Sequence, residues 1–356
     1  MQPISSRSSI RSNDRDWELQ ANTRRLAGVC LCTCLLLACA TPQQTRRLLT
    51  EPAIDLPARV ELEEIPFYPQ QRHQCGPAAL ATVLGAHAID VAPDDLTDEV
   101  FIPGLKGSLP EEIAAAARQR GMLAYPLRPS LADLLDEVAG GNPVLVFQNL
   151  GVDWFPKWHF AVVVGYDLAT REVILRSGTT KRRHTSLSVF EKTWSRSGHW
   201  ALVILPAGSI PESARAERYL SAAHDLELSG QVTAAISAYR AATRHWPNEM
   251  TAWMTYGNGL YATGNYRESE IAFRQAAHTA PDDPRPWNNL AYTLLETACP
   301  RQAQRAASCA SGLEPDNPDY RATMKEINRL ARGVDAPDCI PVECNQTIPG
   351  TGAAGN

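Results

Sequence analysis

Apolar and polar positions along the chain change their period twice, and each change marks a boundary. An apolar stretch at 26–40 is followed by a polar, Pro- and Arg-containing segment over 40–60 that reads as a tether. From 75 to 86 an almost unbroken run of Ala, Leu, Thr and Val predicts a buried helix, with further helices over 96–101, 109–120 and 131–139. PEEIAAAARQRG has Pro110 near its start and Gly121 just past its end, the punctuation a helix needs. Segments 144–148, 160–166, 173–176 and 200–205 then alternate or run apolar with β-branched residues, as strands do. Helices first and antiparallel strands second predict an α+β domain over 61–207.

From about 212 the pattern becomes helical with a period of 34 residues. Trp253 and Trp287 share a slot, as do Pro247, Pro281 and Pro315. Gly230, Gly264 and Ala298 share another, as do Ala223, Gly257 and Ala291, while Tyr239 and Phe273 hold a large position that Ala307 fills in the third unit. Repeats over 216–249, 250–283 and 284–317 fit, with a capping helix at 320–332 closing the unit 212–332. The period and its residue types resemble the tetratricopeptide repeat. That resemblance implies an all-α solenoid whose concave face binds a peptide or protein partner. Residues 333–356 are expected to be a disordered tail.

Charge narrows the function. With 34 basic residues against 39 acidic, a net charge of −5 and no long basic stripe, nucleic acid is not an expected partner. No G-x-x-x-x-G-K-[ST] is present, so ATP is not expected either. The stretch at 26–40 follows Arg24 and Arg25, is short for a bilayer span and has secretory-signal character. Its end, Leu36-Leu37-Ala38-Cys39, resembles the lipobox of bacterial lipoproteins. The resemblance implies a signal peptide over 1–39, lipid on Cys39 and, with Ala40 following, an outer-membrane address. An uncleaved anchor or a plain signal peptide is the alternative.

The candidate chemistry centres on HQCGPAALATVL, residues 73–84. Pro77 suits a first helical turn, so Cys75 stands at the N-terminus of an apolar helix, where the dipole and free N–H groups favour a thiolate. Its candidate proton acceptor, His159, lies 84 residues further on in WHFAVVVGYD, at the head of a β-branched run. This pairing resembles the papain-like cysteine peptidases, most closely the bacteriocin-processing (double-glycine leader) peptidases, over roughly residues 62–206. The resemblance implies a Cys75–His159 catalytic pair and an oxyanion-hole glutamine. The family's glutamine slot is Pro69 here, and among Gln70, Gln71 and Gln74 the best candidate is Gln70. The family's third residue is an Asp at the end of the strand after the histidine strand. This chain has Ser177-Gly178 there, and Asp167 falls too early, in a turn, so Ser177 is the candidate orienting residue.

In the loop before His159, Trp154, Phe155 and Trp158 either line a cleft or pack beneath the sheet. No metal or cofactor is expected, because a zinc site from Cys75 and His159 would lack two ligands at any recognisable spacing. His73 and His184 read as surface residues. Ten helical residues separate Cys299 from Cys309 by roughly 15 Å, too far to pair with each other. Cys339 and Cys344 are expected to pair in an oxidising compartment. Three functions remain: an envelope cysteine peptidase acting on a peptide or protein substrate, a degenerate peptidase-like binding module, or a Cys–His amidase acting on peptidoglycan.

Overall fold

The computed structural model describes residues 41–51, 56–70 and 74–344. Cys39, Gln71, His73 and the residues after 344 lie outside the described residues. The first part of the chain builds a seven-stranded antiparallel sheet with helices on both faces. Its strands are β1 (Arg59–Glu61), β2 (Met122–Pro126), β3 (Val144–Asn149), β4 (Trp158–Asp167), β5 (Glu172–Ser177), β6 (Thr180–Ser186) and β7 (Ala201–Pro206). The order is β2-β7-β3-β4-β5-β6, and β1 pairs with the far end of β4, Arg59 opposite Asp167.

Period-2 alternation divides the strand side chains between two cores. One face sends Ala124, Leu145, Phe160, Val162, Val164 and Ile204 against α2 (Cys75–Gly85), α3 (Pro93–Val100) and α4 (Pro110–Gln119). Every residue of α2 from Gly76 to Leu84 is buried, which is why its sequence is apolar all round rather than striped. The opposite face sends Leu123, Val146, Ala161, Val163, Leu175 and Val203 against α5 (Leu131–Ala139) and α6 (Leu187–Ser195).

That second core does not stop at residue 207. Tyr219 and Leu220 of α7 (Ala216–Leu228), Tyr239 of α8 (Val232–His245) and Leu260 of α9 (Met250–Ala262) belong to the same cluster, so the helical array is packed onto the sheet. Buried Glu137 of α5 holds the connecting segment, accepting from the Glu212 and Ser213 N–H groups and the Ser213 hydroxyl. The array continues through α10 (Tyr266–Thr279), α11 (Pro284–Glu296), α12 (Pro300–Leu313) and α13 (Pro318–Leu330), making seven helices.

The periodic residues have visible causes. The Trp253 indole N–H donates to the Pro247 carbonyl at 2.8 Å, and Trp287 donates to Pro281 at 3.1 Å. One period later the slot is Arg321, whose guanidinium donates to the Pro315 carbonyl at 3.3 Å. Gly230, Gly264 and Ala298 all have φ between 60° and 84°, the left-handed turn between paired helices. At Gly257 a Cβ would meet the Phe273 ring, which explains the small residue against the large one.

Three expectations are corrected. Within the segment expected to be a tether, residues 43–50 are not free: α1 (Gln43–Thr50) docks on the domain, with its Gln44 and Thr45 N–H groups and the Thr45 hydroxyl donating to buried Glu191. Cys339 and Cys344 do not pair together; Cys339 bonds Cys299, and Cys344 bonds Cys309. Residues 333–344 consequently form a strap rather than a disordered tail. Val342 of the strap is buried, its N–H donates to Gln302, and Arg274 donates to the Ile340 and Pro341 carbonyls.

Candidate active site

Cys75 opens α2, and His159 sits near the start of β4, opposite Gln148 of β3. The two line one cleft of about 870 Å³, together with Gln70, Ser108, Phe147, Trp158, Phe160 and Gly178. The long sequence separation is closed because α2 packs directly on β4 in the first core.

The His159 Nε2 lies 2.8 Å from the Ser177 Oγ. Ser177 ends β5 and is only 3% exposed, so the imidazole is held by a hydroxyl shielded from water. With Nε2 engaged, Nδ1 is the ring nitrogen that this contact leaves available. Asp167 takes no part: its carboxylate accepts from the Ala169 and Thr170 N–H groups and closes the β4–β5 turn, as its early position in the sequence implies.

Electrostatics depart from the thiolate expected at a helix start. Burial pushes the Cys75 thiol up, against a smaller downward pull from the Phe160, Gly76 and Cys75 N–H groups. Burial, and then the nearby Arg183 guanidinium, push His159 down to about 4. The thiol and the imidazole that line the cleft both rest neutral, because desolvation of a half-buried sulfur outweighs one helix terminus here.

Gln70 is used as a clasp. Its Nε2 donates to the Phe160 carbonyl at 3.2 Å, its Oε1 accepts from the Gly178 N–H at 2.9 Å, and its own N–H donates to the Gly178 carbonyl. It thus grips the residue after His159 and the residue after Ser177. Its amide nitrogen carries two protons, one of which the Phe160 carbonyl takes. Gln74 reaches Asp94 instead, at 3.1 Å.

Of the loop aromatics, Trp158 lines the cleft and stacks on Phe147, with centroids 5.1 Å apart. Trp154 does not; it is 86% exposed and outside the lining, and Phe155 is also exposed. Their loop is held by the Asn149 side chain, which accepts from the Gly151 and Lys157 N–H groups.

A second lining segment was not anticipated. Leu105, Lys106, Ser108 and Leu109 come from a loop closed by an Ile102–Gly107 bridge. The sequence signal was PGLKGS, a turn-rich stretch directly before a helix. Ser108 occupies the space that a Cβ on residue 76 would need, which is why glycine follows the cysteine. Its hydroxyl is buried without a hydrogen-bond partner among the described residues.

An antiparallel sheet with a cysteine-led helix laid against the histidine strand defines a cysteine-peptidase-like domain. Residues 62–202 match the family model described as "Peptidase_C39 like family". Among solved structures, a C39-like peptidase from Bacillus anthracis is similar at 19% identity and a TM-score of 0.36, covering 41% of this chain and 97% of that one. The peptidase domain of Streptococcus ComA, a bi-functional ABC transporter involved in a quorum sensing pathway, is similar at 18% identity and a TM-score of 0.33, covering 40% and 99%. The type III secretion translocator chaperone SycD of Yersinia enterocolitica is similar at 18% and 0.30, covering 33% and 88%. No curated protein matches the chain. The fold is α+β over 59–206, the part that carries the Peptidase_C39-like match, followed by seven helices consistent with a helical repeat.

Proposed function

We propose that the chain is an envelope-anchored cysteine peptidase that uses Cys75 and His159. The observation that carries this is the shared cleft of Cys75 and His159, with the imidazole held at Nε2 by Ser177. In the working tautomer Nε2–H donates to the Ser177 oxygen, leaving the Nδ1 lone pair for the thiol proton. Because the resting pair is neutral, proton transfer accompanies attack: the Cys75 sulfur bonds to the scissile carbonyl carbon while His159 takes its proton. The oxyanion is stabilised by the Cys75 N–H and the second Gln70 amide proton, each such donor contributing about 3 kcal/mol in comparable sites. His159 then gives the proton to the leaving amine as the C–N bond breaks, and water hydrolyses the thioester.

The remaining parts fit an exported protein. Two disulfides among the described residues support an oxidising compartment. A lipid on Cys39 would stand four positions before the docked helix α1, holding the domain close to the membrane rather than on a long leash. The helical array, read as three tetratricopeptide repeats with a cap, offers a face for substrate or a protein partner.

Ser177 in place of a carboxylate favours a second reading, a binding module without turnover. A thiol-reactive peptidyl probe separates the two. The peptidase reading expects fast labelling of wild type and none of Cys75→Ser; equal slow labelling of both supports the binding module. Turnover of peptidoglycan fragments but no peptide would assign the same pair to an amidase.

A further inference from the structure

The candidate cleft carries positive charge on a chain whose net charge is −5. Its lining includes Lys106 and Lys157 and, among the described residues, no Asp or Glu. The two lysines come from separate loops: Lys106 from the loop bridged at Ile102–Gly107, Lys157 from the loop held by Asn149. Neither has a carboxylate partner among the described residues, unlike Arg120, which pairs with Glu99, and Arg182, which pairs with Glu61. Exposed Arg183 adds a third charge on β6, across from Leu175 and close enough to act on His159. Asp94, which accepts from the Gln74 amide, and Asp153 both lie outside the lining.

A charged edge strand is a common guard against aggregation, and that accounts for Arg183 on β6. It does not account for Lys106 and Lys157, which sit on loops and line the same cleft as Cys75. The same lining has apolar surface from Leu105, Leu109, Phe147 and Trp158. We infer that the cleft selects peptides in which an apolar side chain beside the scissile bond is flanked on both sides by carboxylates. This rests on the peptidase-like reading of the site and names its substrate class. Unpaired lysines at the lips discriminate by attraction at the rim, so the preference is salt-sensitive.

The test uses the full chain and two fluorogenic peptides with the same apolar centre, one flanked by two Glu and the other by two Gln. For two rim charge pairs the expected kcat/KM ratio is about tenfold in favour of Glu at about 50 mM salt. It should fall toward one at about 500 mM. In Lys106→Gln/Lys157→Gln the ratio should collapse to near one at low salt. Equal cleavage of both peptides by wild type, or an undiminished ratio in the double variant, overturns the inference while leaving the peptidase intact. If neither peptide is cut, anisotropy of the same labelled peptides on Cys75→Ser decides. Tighter binding of the Glu peptide upholds the charge preference although the peptidase reading has failed, and equal binding removes both.

Discussion

His159 Nε2 and Ser177 Oγ stand 2.8 Å apart at the ends of two adjacent strands, with the hydroxyl buried. A hydroxyl fixes the ring as a carboxylate would, but it cannot neutralise an imidazolium. Ser177→Ala should therefore lower kcat modestly, by about threefold to tenfold, with little change in KM. Ser177→Asp should raise His159 basicity and shift the acid limb of the kcat/KM profile to higher pH. An unchanged profile in both variants would show that Ser177 does not orient the ring.

His159 also links stability to acid. Its folded pKa of about 4 lies below its ordinary 6.5, so the unfolded chain takes up a proton first as pH falls. Stability present above 6.5 is lost as pH drops from 6.5 to 4 and is not lost further below that. The loss is on the order of 3 kcal/mol, and His159→Gln should remove that part of the pH dependence. Denaturant midpoints of the two proteins at about pH 7 and about pH 4.5 check it.

Gly76 predicts a steric coupling. A Cβ there meets the Ser108 hydroxyl and lies 2.6 Å from the Ser108 Cβ. Gly76→Ala should cost about 1–3 kcal/mol. Adding Ser108→Gly should recover part of the loss, because the blocking atoms are then gone. Additive losses in the double mutant would mean that the glycine serves another purpose.

Much of this was legible in the residues. The run from Cys75 onward could only be a helix buried on every side, and the 34-residue spacing of tryptophans and prolines carried the array because each indole bonds the preceding turn. Strand β6 was not legible: Thr-Lys-Arg-Arg-His-Thr-Ser is an exposed edge strand held by backbone bonds to β5, with no apolar face to show alternation. Helix α1 was hidden in the same way, since polar contacts with Glu191 dock it. The disulfide partners were hidden because the strap doubles back over α12, and local spacing of Cys339 and Cys344 says nothing of that path. At the site, the Cys and His were readable. The Gln70 clasp and the Lys106 lip were not, because both depend on which loops the sheet brings together.

The strap predicts a redox-dependent array. Reduction, or Cys339→Ser with Cys344→Ser, frees residues 333–344 and uncovers Val342. The expected loss is about 2–4 kcal/mol for each native bond, confined to the C-terminal helices α12 and α13. Hydrogen exchange localises it; protection unchanged in α12 after reduction would show that the strap contributes nothing.

In the proposed peptidase the Cys75 sulfur becomes acylated by a peptide carbonyl, with His159 as the base. The most direct measurement is intact-protein mass spectrometry on acid-quenched mixtures with a slowly hydrolysed peptide ester. Wild type should gain the mass of one acyl group, mapped to Cys75 and removed by hydroxylamine. His159→Asn should acylate more slowly by about 100-fold or more. An adduct on another residue, or equal acylation of wild type and His159→Asn, would contradict the account.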